Sequence, residues 1–318
     1  MADAPAGDPR GGGDAGALDV IGVYLRRRTD FKILGSTLDA LTARGMQWMW
    51  MIDADVKEDP QTGDFIRWRD HLRTNHLTGV TCMLAADASY IPPFSCPVVT
   101  IPYFWDNRFT PQPPGRIVCY TSERHLRCVQ RLQPGTPDGP LVGWTESDAW
   151  TLLQRVPRPE AVLYTLKYRM PEPWRQSWRG RSWYRETCHM IVEEYVTRGW
   201  LPIIKAREKN ADPRWLRTLS QFYYLDDAFY PSRSWQLLAG AQEITHFVSG
   251  VAWEAMVAGV PHRAIRVPIG SLVEYPGRRE IEPAFDGTVS REQFLSDWIL
   301  PVDGKAGERV ADVLMAQV

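Results

Sequence analysis

Ser249, Gly250 and Glu254 are the residues of this chain whose types and spacing suit a definite chemistry. They lie in the stretch ITHFVSGVAWEAMVAGVP, residues 244–261. Ile244 to Val248 reads as a short strand and Ser249-Gly250 as a tight turn. Val251 to Ala258 reads as a helix, with Gly259 as its stop and Pro261 just beyond. The small and apolar Val251, Ala252, Ala255, Met256 and Ala258 leave little of that helix to water, which predicts close packing on a sheet. The first N–H groups of a helix have no partner inside it, and the helix dipole favours negative charge there. A glycine in the turn lets a phosphate approach the backbone. Glu254 stands about one helical turn further in, where its carboxylate suits the hydroxyls of a ribose. Two readings stay open on these residues: a phosphate-and-ribose site, or an ordinary Ser249 N-cap beside a surface charge.

A second stretch, PEPWRQSWRGRSWYRE (Pro171 to Glu186), interleaves arginines with tryptophans and a tyrosine. That composition suits phosphate backbones and stacked bases. An amphipathic helix with Trp packed inward and Arg outward has the same composition. Arg67-Trp68-Arg69 with Arg73 is a weaker cluster of the same kind. His71, His76, His125 and His189 stand at no metal-ligand interval from a carboxylate or a cysteine, so no metal is expected. His246, just before the Ser-Gly turn, reads either as a ligand contact or as a hydrogen-bonded strand residue.

The 318 residues suit two domains of ordinary size. With 44 % hydrophobic and 24 % charged residues the chain belongs to the soluble globular class, not the disordered or membrane classes. A formal net charge of -1 says nothing for or against a strongly charged partner. Basic residues are nearly all Arg, which suits phosphate or carboxylate recognition, although a GC-rich coding sequence gives the same bias. The 14 tryptophans invite stacking surfaces for sugars or bases. Cys82, Cys96, Cys119, Cys128 and Cys188 are widely spaced, odd in number and free of CxxC pairs. They read as reduced, mostly buried thiols. No apolar run reaches membrane-spanning length and the start lacks a signal core, so a cytoplasmic protein without integral membrane contact is expected. The opening MADAPAGDPRGGGDAGA, residues 1–17, predicts a disordered leader.

The elements that position these residues alternate along the chain. Leu18 to Leu25 predicts a first strand, Lys32 to Arg44 a helix and Met46 to Ile52 the next strand, a βαβ unit that opens a parallel sheet. A helix is expected at Asp70 to Asn75, with strands at Val80 to Ala85, Pro97 to Tyr103 and Arg116 to Tyr120. A helix at Ser122 to Leu132 and a short last strand at Leu141 to Trp144 close the first domain near Trp150. The second half repeats the pattern, with strands at Ala161 to Lys167, Leu201 to Lys205, Phe222 to Leu225 and Arg263 to Val267. Helices are expected at Arg185 to Arg198 and Ser232 to Ala241, around the opening motif, and at Arg291 to Trp298 and Gly307 to Met315. The expected organisation is a leader (1–17), two Rossmann-like α/β domains (18–150 and 151–285) facing each other across a cleft, and C-terminal helices (286–318).

The pattern SG-x-x-x-EA-x-x-x-G-x-P after an apolar strand resembles the donor-binding turn of glycosyltransferases with the GT-B fold. It is similar also to the corresponding turn of non-hydrolysing UDP-N-acetylglucosamine 2-epimerases. Gly143-Trp144-Thr145-Glu146-Ser147-Asp148 resembles the G-x-x-x-x-D that ends the first domain in CDP-glycerol glycerophosphotransferase-like members. Ile203 to Lys209 resembles their basic strand end, and Tyr230-Pro231-Ser232 the segment beside the nucleotide base. The likeness runs thinly from about Val20 to Ile269, and the C-terminal domain is shorter than in the larger families.

The resemblance implies that Ser249 and Gly250 hold a diphosphate and Glu254 a ribose. Among Lys167, Arg169, Lys205 and Arg207, at the ends of two donor-domain strands, one or two are expected to meet phosphate. Ser232 and His246 complete the expected donor site. An inverting transfer needs a base for the acceptor hydroxyl. Asp30, after the first strand, is the first choice; its alternative is to cap the helix at Lys32. Asp106 is second, with Asp53 and Asp55 after them. The expected activity is transfer of a sugar from a nucleotide-activated donor, UDP-sugar first, to a hydroxyl, with no metal or other cofactor. The acceptor is a saccharide or small molecule, or a hydroxymethylated base in DNA. An epimerase and a non-catalytic nucleotide-sugar-binding protein are the rivals.

Overall fold

The computed structural model describes residues 19–26, 28–53, 65–67, 79–86, 94–101, 116–165, 177–206, 214–225, 228, 230–247, 249–266, 288–299 and 301–318. The first sheet contains β1 (Val20–Leu25), β2 (Gln47–Ile52), β3 (Phe65–Arg67), β4 (Val80–Ala86), β5 (Val98–Ile101) and β6 (Arg116–Val118). Its order is β3-β2-β1-β4-β5-β6 and every pairing is parallel. The second contains β7 (Glu160–Tyr164), β8 (Leu201–Lys205), β9 (Phe222–Tyr224), β10 (Ala241–His246) and β11 (His262–Ala264). Its order is β11-β10-β7-β8-β9, again parallel throughout. Each sheet winds outward from its first strand and then continues on that strand's other side, the doubly wound topology. Apolar runs such as VIGVYL and VTCMLAA form strands here because helices and loops cover both faces of a parallel sheet.

The helices are α1 (Phe31–Ala43), α2 (Glu123–Leu132), α3 (Trp178–Thr197), α4 (Arg233–Gly240), α5 (Val251–Ala258), α6 (Arg291–Trp298) and α7 (Ala306–Met315). Several bounds differ from the sequence reading for local reasons. Leu141 makes only an isolated parallel bridge to Tyr120, and Thr145–Leu152 is a 3-10 helix, so no strand forms at Leu141 to Trp144. α3 begins at Trp178, earlier than Arg185, because Ser177 caps it by accepting the N–H of Gly180 at 3.0 Å. Ala241 belongs to β10, not to the preceding helix. β3 was not foreseen, since three residues carry no periodicity to detect. The expected leader (1–17) and the helix at Asp70 to Asn75 lie outside the described residues.

Much of the tryptophan is core. Trp50, Trp144, Trp235, Trp253 and Trp298 are buried. Trp235 of α4 lies 5.8 Å from the ring of Trp144 and 5.7 Å from that of Trp150, which ties the segment between the sheets to the second one.

α1 carries two close contacts that join distant parts of the chain. α7 returns from the C-terminus to pack Val310, Ala311 and Leu314 into the same core as Ile33, Leu34, Leu38 and Leu41 of α1. Gly307 permits that approach: a Cβ there would stand 2.4 Å from the carbonyl carbon of Ser36. Asp148 holds the start of α7, accepting the N–H groups of Ala306 at 3.2 Å and Gly307 at 2.7 Å. Burial pushes the Asp148 carboxyl up, and those two N–H bonds hold it part of the way back. At the adjacent position on α1, a Cβ on Gly35 would meet the ring of Tyr230 at 2.4 Å, so glycine is what admits that ring.

Gly307→Ala forces α1 and α7 apart, because the atom in the way is backbone and has no rotamer to yield. A loss of about 1–3 kcal/mol is expected, the usual cost of overpacking, measured as a lower urea midpoint. An unchanged midpoint would mean that α7 does not dock on α1 at this distance.

Candidate functional site

The turn between β10 and α5 is built around a histidine. His246 ends β10 and is fully buried. Its Nδ1 accepts the backbone N–H of Ser249 at 3.1 Å, which places the ring proton on Nε2. Burial, with the charge of His262 adding to it, pushes the His246 pKa down to about 3, so the ring is neutral at ordinary pH. Its plane stacks on His262 with centroids 5.7 Å apart. Nε2 has no hydrogen-bond partner among the described residues.

α5 opens tightly. The Ser249 carbonyl accepts from Ala252 and the Gly250 carbonyl from Trp253, each at 3.1 Å, an i to i+3 pattern. Gly250 occupies the N-cap position and supplies no side-chain cap. Ser249 Oγ, one residue before the N-cap, accepts the Val251 N–H at 3.5 Å, the long end of the hydrogen-bond range. Gly250, not Ser249, therefore holds the N-cap position. Glu254 is 5 % exposed, so it is not a surface charge either. At the other end, Gly259 takes φ +64° as the C-terminal stop. Arg291 of α6 donates to the carbonyls of Met256 at 2.6 Å and Val257 at 3.1 Å, a cation at the negative end of the dipole. Nothing in the sequence pairs Arg291 with α5; only the fold does.

Neighbouring strand ends add polar groups. β7 lies between β8 and β10, with Tyr164 in register with both Lys205 and His246. Lys205 is 3 % exposed, and its Nζ donates to the Ala206 carbonyl at 2.9 Å. Thr165 follows β7, is buried, and gives its N–H to the Lys205 carbonyl at 3.0 Å. Its hydroxyl has no hydrogen-bond partner among the described residues. Thr165 was missed in the sequence, where it fell inside the expected strand Ala161 to Lys167; β7 ends one residue before it. Thr165, Lys205, His246 and the Ser249-Gly250 turn thus end three adjacent strands, at the point where the strand order reverses and open α/β sheets take ligands. Ser232 is also buried, but its hydroxyl caps α4, accepting from Trp235 at 3.5 Å. Lys167, Arg169, Arg207, Asp106 and Asp55 lie outside the described residues.

At the first sheet, Asp30 occupies the N-cap position of α1 without a side-chain cap bond and is 0 % exposed. Asp53, after β2, is partly buried and accepts the hydroxyl proton of Tyr24 at 2.6 Å. Pro171 to Gln176 lie outside the described residues, and the rest of the basic-aromatic stretch divides by face. Trp183 and Tyr184 turn inward onto Phe247, at 6.0 and 5.2 Å. Arg179, Arg181, Arg185 and Trp178 are exposed. This is mostly the amphipathic helix, with Trp178 departing from it.

His246 sets a pH dependence. It is neutral in the fold, with a pKa of about 3, and titrates near 6.5 when unfolded. The unfolded chain therefore binds more protons in between, and stability whole above about pH 6.5 is lost as pH falls towards 3. His125, equally buried with a pKa of about 3, adds to the same loss. His246→Asn is expected to remove about one proton from the slope of stability between about pH 6 and 5, read from urea midpoints across that range. An unaltered slope would contradict a buried neutral ring.

No protein-family model matches the sequence, and no curated protein does. Solved structures match it over nearly its full length. One is the UDP-GlcNAc 2-epimerase of Methanocaldococcus jannaschii in complex with UDP-GlcNAc and UDP, at 13 % identity and TM-score 0.56, covering 93 % of this chain and 99 % of that one. Another is a variant of the wall teichoic acid polymerase TagF, at 9 % and 0.58, covering 94 % and 89 %. A third is the UDP-GlcNAc 2-epimerase of Neisseria meningitidis bound to UDP-GlcNAc, at 13 % and 0.53, covering 92 % and 94 %. At such identities the likeness is one of fold. With its two doubly wound parallel sheets, the chain has the GT-B-like architecture that its motifs led us to expect.

Proposed function

We propose that the protein is a glycosyltransferase that moves a sugar from a nucleoside-diphosphate donor to a hydroxyl acceptor. One observation carries the reading: the turn at Ser249-Gly250 opens a helix without a side-chain cap, at the reversal point of a parallel sheet, with the buried carboxylate of Glu254 in the first turn. Backbone N–H groups at such a turn suit a diphosphate. A carboxylate one turn in suits the two hydroxyls of a ribose. Lys205, with Lys167, Arg169 and Arg207 in the segments that follow β7 and β8, supplies positive charge. The similar structures solved with UDP-GlcNAc or UDP support a donor of this class.

In this reading residues 151–285 hold the donor and residues 18–150 present the acceptor across a cleft. The base comes from the carboxylates at the end of the first sheet, where Asp30 and Asp53 stand and which Asp106 follows in sequence. Epimerisation of the nucleotide sugar itself is the second reading, favoured by the two epimerases among the similar structures. Turnover of donor with no acceptor present would select it.

Screening UDP, CDP, GDP and dTDP sugars by thermal shift tests the reading. At a ligand concentration of 100 times Kd, linkage adds about 2.7 kcal/mol, a shift of several degrees. Glu254→Ala is expected to weaken donor binding about tenfold or more, the loss of a charged hydrogen-bond acceptor. A wild-type protein stabilised by none of these donors would overturn the assignment.

A further inference from the structure

Tyr24 and Asp53 meet at the C-terminal end of the first sheet, close enough to Asp30 at the start of α1 to feel its charge. Tyr24 belongs to β1 and is 2 % exposed. Its ring lies on the sheet face opposite α1, among Met51, Met83, Ala85 and Val98, with Phe94 edge-on at 5.9 Å. The hydroxyl leaves that apolar cluster to donate to Oδ2 of Asp53 at 2.6 Å. Burial first, and then the Asp53 hydrogen bond and charge, push the Tyr24 pKa well above the ordinary tyrosine value; Asp30 adds to this and Arg26 opposes it. The phenol is thus a fixed hydrogen-bond donor at working pH, not an acid or base itself.

Asp53 and Asp30 differ in access. Asp30 is 0 % exposed at the start of α1, which closes it to an acceptor. Asp53 is only partly buried, and one of its oxygens is held in place by Tyr24. An oriented, reachable carboxylate at the ligand-binding edge of a doubly wound sheet is what a general base requires.

We propose that Asp53, oriented by the Tyr24 hydroxyl, is the base that takes the acceptor proton. The inference rests on the glycosyltransferase reading and deepens it. The acceptor oxygen bonds to the anomeric carbon of the donor. The bond from that carbon to the phosphate oxygen breaks, its electron pair leaves with the nucleoside diphosphate, and the hydroxyl proton passes to Asp53. Tyr24 is a positioning residue, acting through Asp53.

The experiment uses the full chain with the nucleotide sugar that gives the largest thermal shift. Asp53→Asn is expected to bind that donor within twofold of wild type and to lose about a hundredfold or more in kcat, the usual worth of a general base. Tyr24→Phe removes the bond that orients the Asp53 carboxylate. Its expected signature is a kcat lowered about tenfold with KM and donor binding little changed, the split that a positioning role gives. Should Asp53→Asn fail to fold, Asp53→Glu carries the test, with donor binding kept and kcat reduced at least tenfold. Donor binding with wild-type kcat in the Asp53 variants overturns the base assignment, wild-type kcat in Tyr24→Phe overturns the positioning role, and either leaves the glycosyltransferase reading standing. Failure of the wild-type protein to bind any nucleotide sugar overturns both.

Discussion

The closeness of α1 to two other parts of the chain is the constraint on which the architecture depends. Phe31, Gly35 and Asp39 recur every four residues and line one stripe of the helix. Tyr230, from the segment before α4, lies on that stripe: its ring fits over Gly35 and meets Phe31 edge-on at 6.4 Å. Its hydroxyl is hydrogen-bonded to Asp39. Beside it, Ser36 touches Gly307 and donates to the Thr145 carbonyl at 3.1 Å. One helix of the first unit therefore receives an aromatic ring from the second unit, the start of the C-terminal helix, and the segment between the sheets. Interiors are packed like crystals, so a methyl group added at either glycine has nowhere to go.

That junction bears directly on the two polar strand ends. Ligands of open α/β sheets bind beyond the carboxyl ends of the strands. The start of α1, where Asp30 sits, lies one turn from the residue that receives Tyr230. Tyr230 in turn leads into α4, whose Ser232 cap and Trp235 anchor it to the second sheet. The distance between the end of the first sheet and the end of the second is thus set by a rigid contact, not by a linker alone.

Within the second unit, the Ser249-Gly250 turn is held by groups that cannot change charge readily. A neutral imidazole fixes the Ser249 N–H, and the far end of α5 is fixed by a guanidinium on its carbonyls. Keeping the turn's local support uncharged leaves the positive end of the helix dipole as the local field. The same economy recurs at the first sheet, where a phenol kept protonated by burial orients a carboxylate.

Periodicity and local chemistry determined a good deal here. The parallel-strand runs, the α5 motif with its Gly259 stop, the bounds of α6 and the two-unit GT-B-like fold were all legible, because hydrophobic spacing and turn residues act over a few neighbours. Other features needed the tertiary structure. Whether Glu254 is exposed or buried depends on what packs over α5. Asp30 reads as a helix cap or as a base, and only the fold shows that it is completely buried. Tyr24 and Asp53 are 29 residues apart, and β1 pairing beside β2 is what brings them to 2.6 Å. Thr165 had no spacing to mark it, and the return of α7 to α1 joins positions some 270 residues apart through a contact that only a glycine allows. Such contacts are chosen by shape and burial between distant segments, and no local pattern in the chain encodes them.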